Sequence, residues 1–182
     1  RQAKAFLAKH GSTPVTFNLR RKYLTLLAAE GRWKAFLRAY VPTANVRLRC
    51  LYAHALWRTD QTAAAAKQTQ SLWMHGKSRP DACNAAFERW KASKGLTAEL
   101  TLRRLVLAVR AGKLGLAKYL RRTLPVKYQR VADTWLSLRG SPESITRIAP
   151  AAPTNRGMAG YAMRRMAAAD SRKAAAFWRA ER

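Results

Sequence analysis

The sequence contains very few acidic residues. Only 9 of its 182 residues are Asp or Glu, whereas 36 are Lys or Arg, so the formal net charge is +27 at pH 7. No two carboxylates are spaced as an obvious acid–base pair, which argues against a catalytic centre built on paired carboxylates. The charge predicts attraction to polyanions such as nucleic acid, anionic lipid or a carboxylate-bearing cell wall. The alternative is that Lys and Arg only solvate helix surfaces.

Other absences narrow the class of protein further. No run of about 18 uninterrupted apolar residues is present, so no transmembrane helix is expected. No segment alternates polar and apolar residues for long enough to predict a strand. The sequence has no glycine-rich phosphate loop, His-Glu metal helix or serine nucleophile elbow, so we expect no cofactor, metal site or catalytic residue. The chain begins at Arg1 without an apolar signal segment, and we expect it to be a processed or excised piece.

The sequence does contain a repeating helical pattern over residues 1–182. Apolar residues make up 48% of the chain, enough for one domain with a packed core, and they recur at helical spacing between short turns. Turns recur at Gly31, Asp60, Gly95, Gly112, Gly140 and Asp170. Intervals of about 30 residues are typical of helical hairpins that stack into a solenoid. We therefore predict an all-α fold, a right-handed α-superhelix of stacked, TPR-like hairpins in a single domain.

Cap and stop residues place several elements along this pattern. Thr97 is predicted to cap the helix that follows it, and residues 80–93 are predicted to form one helix. Near the two ends, we predict a helix over residues 1–9, a proline-containing loop over residues 149–155 and a last hairpin over residues 157–182. The two ends lack obvious polar caps, which indicates that neighbouring repeats belong to the same parent chain.

Two cysteines, Cys50 and Cys83, lie on predicted helices with one hairpin between them. Antiparallel packing could bring them together as a disulfide. Closing this loop would stabilise the folded state by about 3.7 kcal/mol and would require an oxidising compartment. They could equally be two buried free thiols in a cytosolic protein. A zinc site with His54 and His75 is a further possibility, but zinc ligands usually form tighter pairs. We interpret His54 as a packed helix residue and His75 as a helix C-terminal residue.

The aromatic residues are interpreted mainly as core and the basic runs as surface. Five tryptophans lie among apolar neighbours at helical spacing: Trp33, Trp57, Trp73, Trp90 and Trp135. Trp178 is expected to be exposed. The short basic runs are Arg20-Arg21-Lys22, Arg103-Arg104, Arg121-Arg122 and Arg164-Arg165. Consecutive charges on a helix point in different directions, so no run alone predicts a phosphate clamp, although together they could line a basic track.

The stretch around the cysteines resembles a known family. The matching segments are Cys50-x-Tyr52-x-x-Ala55, then Leu72-Trp73-x-x-Gly76-Lys77-Ser78-x-Pro80-x-Ala82-Cys83, then Phe87 and Trp90. A looser match continues to about Trp135. These segments are similar to the non-catalytic α-superhelical domain of the soluble lytic murein transglycosylases. The resemblance implies a disulfide between Cys50 and Cys83 and a location in the periplasm. It implies no catalytic and no metal-binding residue in this piece, and it does not identify the residues that bind a ligand.

The resemblance also implies a function for the parent chain. It would be a lyase that cleaves murein between N-acetylmuramic acid and N-acetylglucosamine, leaving a 1,6-anhydro end, by means of a separate lysozyme-like domain absent from this piece. The family's catalytic Glu lies in a Glu-Ser-x-Phe phrase; Glu143-Ser144-Ile145-Thr146 lacks the Phe, and we interpret Glu143 as a helix-start residue. This piece would be part of a ring-forming scaffold whose partners are peptidoglycan strands, the missing catalytic domain and other cell-wall enzymes. The alternatives are a basic helical-repeat module that binds nucleic acid and a protein-docking scaffold.

Overall fold

The computed structural model describes Phe6, residues 14–147 and residues 157–180. Within the last two ranges the chain forms ten α-helices and two short 3₁₀ segments, with no strand. The α-helices are α1 Pro14–Ala29, α2 Trp33–Ala39, α3 Val46–Arg58, α4 Thr62–Trp73, α5 Asn84–Ala92, α6 Ala98–Arg110, α7 Leu114–Thr123, α8 Val126–Ser137, α9 Met158–Ala169 and α10 Ser171–Ala180. The 3₁₀ segments are Asp81–Cys83 and Pro142–Arg147. The predicted all-α fold is therefore confirmed.

The chain divides into two compact units. The amino-terminal unit comprises Arg1–Trp73 and Arg79–Leu96, and the carboxy-terminal unit comprises Met74–Ser78 and Thr97–Arg182. In the amino-terminal unit, α1, α2, α3, α4 and α5 pack successively, each against a neighbour in sequence, and α3 also contacts α1 and α5. In the carboxy-terminal unit, α6, α7 and α8 contact one another, while α9 packs on α10 and on Pro142–Arg147.

Local capping and turn chemistry explain where several helices begin and end. The side chain of Asn45 accepts a hydrogen bond from the backbone N–H of Leu48 (3.1 Å), which starts α3. The predicted cap at Thr97 is confirmed, because its hydroxyl accepts from the N–H of Leu100 (3.2 Å). Gly112 has a φ of +70° at the turn after α6, a left-handed conformation that glycine adopts without steric cost.

One predicted helix boundary needs adjustment. Residues 80–93 do not form one α-helix, because the chain makes a 3₁₀ turn at Asp81–Cys83 before α5 begins at Asn84. The N–H of Cys83 donates to the carbonyl of Pro80 (2.9 Å), the tighter i to i+3 bond that is frequent at helix starts. The last hairpin is confirmed as α9 and α10. The predicted helix over residues 1–9 is described only at Phe6, which is helical, and the loop over residues 149–155 lies outside the described residues.

Each unit has its own buried residues. In the amino-terminal unit, one apolar cluster joins α1, α2 and α3; its buried members are Leu24, Leu27, Phe36, Leu48 and Ala55. In the carboxy-terminal unit, buried side chains come from α6, α7, α8 and α9; they include Leu105, Val109, Leu120, Trp135 and Met158. Burial of such side chains contributes about 1.5–3 kcal/mol each before entropy is subtracted. A single hairpin could not enclose them, so stacking of neighbouring hairpins is what forms each core.

Candidate functional site

Cys50 and Cys83 lie together in the amino-terminal unit. Both side chains are fully buried, their sulfur atoms are bonded, and their Cα atoms are 4.6 Å apart. Cys50 belongs to α3 and Cys83 ends the 3₁₀ turn before α5. Reasoning from the residues alone left a disulfide and free thiols open, and only the family resemblance named this pair. The bond links α3 to the turn that precedes α5 and encloses α4 in the loop between the two cysteines.

Aromatic rings pack around α4 and α5. The ring of Trp73 meets that of Phe87 edge to face at 5.1 Å and that of Trp90 at 6.2 Å. The indole N–H of Trp57 donates to the hydroxyl of Thr69 (3.0 Å), which ties α3 to α4. Trp57, Trp73 and Trp90 are all buried, as predicted, and such pairs add specific geometry to the area they bury.

The motif between Trp73 and Cys83 is explained by close packing. Gly76, in the carboxy-terminal unit, has no room for a side chain: a Cβ there would meet the backbone carbonyl of Leu107 and come within 3.0 Å of the Cβ of Ala111. In the amino-terminal unit, the Nε of Arg79 donates to the carbonyl of Leu72 (2.8 Å) at the end of α4. Gly76, a residue of the matching motif, therefore has a structural role in this chain.

The histidines considered as metal ligands are not gathered with the cysteines. The ring of His54 meets the ring of Trp33 edge to face at 4.7 Å, and His75 accepts a hydrogen bond from the N–H of Lys77 (3.1 Å). Burial, and then the charge of Arg58, hold the pKa of His54 below its ordinary value. Among the described residues, no three His, Cys, Asp or Glu side chains are grouped as a metal site would require.

Four of the described carboxylates form ion pairs or helix-start hydrogen bonds. Glu30, Glu99 and Asp133 each form an ion pair with an arginine, and Asp170 accepts from two backbone N–H groups at the start of α10. Asp133 accepts two 2.8 Å hydrogen bonds from Arg121, and these bonds lower the pKa of the carboxyl group. Glu143 lies in the first turn of the segment Pro142–Arg147, where a helix-start residue was expected.

The basic runs are split by the helices that carry them. In α6, Arg103 is exposed and pairs with Glu99, whereas its neighbour Arg104 is only 4% exposed. The α7–α8 surface has an open groove of about 850 Å³, lined by Arg121, Val126, Lys127, Gln129, Arg130, Asp133, Thr134 and Ser137. Arg103 and Arg104 therefore lie in different environments, and the predicted exposure of Trp178 is confirmed at 49%.

One cluster was missed by the sequence reasoning. In the amino-terminal unit, the rings of Tyr40 and Tyr52 stack at 4.2 Å with planes 11° apart. Arg49 precedes Tyr52 by three positions on α3, and its charge acts on both Tyr40 and Arg79. All four side chains are partly exposed. The spacing of Arg49 and Tyr52 was a usable signal, since residues i and i+3 share a helix face, but Tyr40 and Arg79 join them only through tertiary packing.

The described helices do not include one that is long and apolar enough to cross a membrane. Together, the stacked helical hairpins and the buried cysteine pair define a helical-repeat protein. Comparison with known proteins identifies the kind of helical-repeat protein more closely. No protein-family model matches the chain.

Curated and solved proteins nevertheless match most of its length. The chain is 32% identical over 142 residues to the soluble lytic murein transglycosylase of Salmonella typhimurium, which covers 77% of this chain and 22% of that protein. It is 30% identical over 174 residues to the Escherichia coli strain K12 protein of the same name, covering 93% of this chain and 27% of that protein. The X-ray structure of an inactive mutant of lytic transglycosylase Slt from Pseudomonas aeruginosa matches with a TM-score of 0.84 and 31% identity, covering 97% of this chain and 29% of that chain.

These matches confirm the resemblance found in the sequence. The chain is homologous, over most of its own length, to the soluble lytic murein transglycosylase family. The likeness also confirms the predicted fold class, an α-superhelix of stacked helical hairpins. The chain spans about a quarter of the length of the curated relatives it matches.

Proposed function

We propose that this chain is a non-catalytic scaffold portion of a soluble lytic murein transglycosylase, with a role in peptidoglycan binding and turnover. The observation that carries the proposal is the homology over 93% of the chain to proteins of that name. The chain corresponds to about a quarter of such a protein. A piece of that size would form part of a single superhelical domain, which neighbouring repeats of the parent chain would complete into a ring.

The chemistry of the parent chain is part of the same proposal. The parent would cleave the bond between N-acetylmuramic acid and N-acetylglucosamine and release 1,6-anhydro-muropeptides, using a carboxylic acid in a lysozyme-like domain outside this chain. The described part of this chain supports a scaffold role, because the resolved partners of Glu30, Glu99 and Asp133 are arginines. Hydrogen bonds from Arg121 lower the pKa of Asp133, which makes this carboxyl group poorly suited to donate a proton.

We also propose that the protein works in the periplasm with its disulfide formed. Cys50 and Cys83 are buried and bonded, and disulfides persist in oxidising compartments. Peptidoglycan carries carboxylates on its peptides, so a chain with a net charge of +27 would be attracted to it over distances of about one Debye length. The catalytic domain of the same parent and other cell-wall enzymes are the proposed protein partners.

Co-sedimentation with purified peptidoglycan sacculi tests this function. The oxidised chain would be mixed with sacculi at near-physiological salt, with and without double-stranded DNA as competitor, and soluble products would be assayed for anhydro-muropeptides. We expect retention on sacculi despite DNA and no product release. A salt-sensitive preference for DNA would overturn the proposal in favour of a nucleic-acid module. Product release that a Glu143→Gln variant abolishes would overturn the non-catalytic assignment.

A further inference from the structure

Arg49, Arg79, Tyr40 and Tyr52 form a cluster in the amino-terminal unit that the scaffold role does not explain. We propose that these four side chains bind the free carboxylate of a peptide. The proposal rests on the proposed function for the source of that ligand, since the peptides of murein carry carboxylates, but the site itself is argued from its own geometry.

The fold brings the two arginines together. Arg49 directly precedes Cys50 on α3, and Arg79 lies four residues before Cys83. The bond between the two cysteines holds their Cα atoms 4.6 Å apart, so the segment that carries Arg79 is fixed beside the start of α3. The Nε of Arg79 also donates to the carbonyl of Leu72 (2.8 Å), which orients its guanidinium group. The site is therefore built before any ligand arrives, which lowers the cost of binding.

Arg49 and Arg79 carry like charges on two segments that the bond between Cys50 and Cys83 holds side by side. Burial, and then the charge of Arg49, lower the pKa of Arg79. Among the described residues, no Asp or Glu forms an ion pair with either arginine. In contrast, Arg103 and Arg121 do have carboxylate partners. A ligand carboxylate would supply the missing negative charge and accept charge-assisted hydrogen bonds from both guanidinium groups.

The tyrosines define the other wall of the site. Their rings are stacked at 4.2 Å, and Arg49 lies on the same face of α3 as Tyr52. A tyrosine hydroxyl is protonated at neutral pH, and burial raises the pKa of Tyr40 further. A protonated hydroxyl can donate to an anion, and an aromatic face can pack against the aliphatic part of a peptide. This combination favours a carboxylate at the end of an apolar residue over a bare inorganic ion.

The test is a peptide titration with matched variants. The probe is N-acetyl-alanyl-alanine, with its C-terminal amide as the uncharged comparison and inorganic phosphate as a second anion, each followed by chemical-shift changes in the oxidised chain. Arg49→Gln removes one wall of the site. Arg47→Gln removes the same charge from an exposed position two residues away on the same helix. Thermal unfolding of both variants confirms that they remain folded.

The expected outcome is a clear separation between the two variants. Arg49→Gln should weaken binding of the free-carboxylate peptide by about tenfold or more, whereas Arg47→Gln should change it by less than about twofold. The amide should bind at least about tenfold more weakly than the acid. Arg79→Lys, which keeps the charge but loses the planar fork, should lie between wild type and Arg49→Gln.

Four results would overturn the proposal. These are equal weakening in Arg49→Gln and Arg47→Gln, equal binding of acid and amide, no detectable binding of the acid, and tighter binding of phosphate than of the peptide.

The sacculus experiment separates this inference from the proposed function. If wild-type chain is retained on sacculi but the two variants bind the peptide alike, only the carboxylate site fails. If the variants separate but sacculi do not retain the chain, the site stands and the murein role fails.

Discussion

The two units of this chain stabilise the same kind of helical stack by different chemistry. The amino-terminal unit uses a buried disulfide and ring contacts, such as Trp73 with Phe87 and Tyr40 with Tyr52. The carboxy-terminal unit has no cysteine and relies more on guanidinium groups. Arg110 lies over the ring of Trp135 at 5.3 Å, and Arg165 donates to the carbonyl of Arg139 (3.3 Å).

This difference suggests a use for part of the high arginine content. A guanidinium group carries five N–H donors and a flat face, so it can cap carbonyls, pair with a carboxylate and stack on an aromatic ring. In the carboxy-terminal unit, Arg121 and Asp133 add a bidentate pair between α7 and α8. The basic composition is therefore partly structural, and attraction to polyanions need not account for every positive charge.

The largest expected effect is loss of the disulfide. Replacing both Cys50 and Cys83 by Ala should destabilise the amino-terminal unit by about 2–4 kcal/mol, because the unfolded chain is no longer constrained. Hydrogen exchange measured residue by residue would show weaker protection in α3, α4 and α5, with protection in α6, α7 and α8 nearly unchanged. Reduction of the wild-type protein is the control and should give the same pattern. An equal loss of hydrogen-exchange protection in both units would contradict the proposed difference in how they are stabilised.

A second prediction concerns close packing in the carboxy-terminal unit. Gly76→Ala should destabilise by about 1–3 kcal/mol, because the new Cβ collides with the backbone of Leu107, which cannot move as a flexible side chain would. The matched control is Gly115→Ala in α7, where no atom lies within 4 Å of the added methyl group. That change should be neutral or stabilise by up to about 1 kcal/mol. Urea unfolding would measure both; similar values would contradict the packing argument.

A third prediction uses pH to perturb the amino-terminal unit alone. Because burial holds the pKa of His54 below its ordinary value of 6.5, the unfolded chain binds the proton more readily than the folded chain. The stability associated with this side chain is therefore present above pH 6.5 and is lost as the pH falls below it. The thermal unfolding temperature should decline between pH 7.5 and 5.5 in wild type and decline less in His54→Gln. The same slope in both proteins would show that another group is responsible.

The smallest expected effect is removal of the exposed pair in the carboxy-terminal unit. Asp133→Asn should lower the unfolding temperature only slightly at pH 7, since the pair is exposed and screened by solvent. Arg121 holds the pKa of Asp133 below its ordinary value of 3.8, so the contribution is present above that pH and fades as the carboxyl group becomes protonated. The difference between variant and wild type should disappear in acid. A difference that persists in acid would indicate a packing defect.

Capping and turn rules predicted the helices well, because the residues that start or end a helix lie close to it in the sequence. The cap at Thr97 and the turn at Gly112 depend on hydrogen bonds and backbone angles within a few residues. The 3₁₀ turn at Asp81–Cys83 was missed because Pro80 is compatible with either kind of first turn. The candidate site was harder to predict from the sequence, because Arg79 lies 30 positions after Arg49 and reaches its neighbourhood only through tertiary packing.

The sequence by itself determined the all-helical class and the turn positions, because both depend on hydrophobic spacing and on caps within a few residues. The pairing of Cys50 with Cys83 was implied only by the resemblance to a family. Only the tertiary structure decided that Gly76 lies against Leu107, that Arg104 is buried while Arg103 is exposed, and that the segment carrying Arg79 lies beside α3. Each of these depends on how helices far apart in the chain approach one another, and the positions of charges along a sequence do not fix the distances between them.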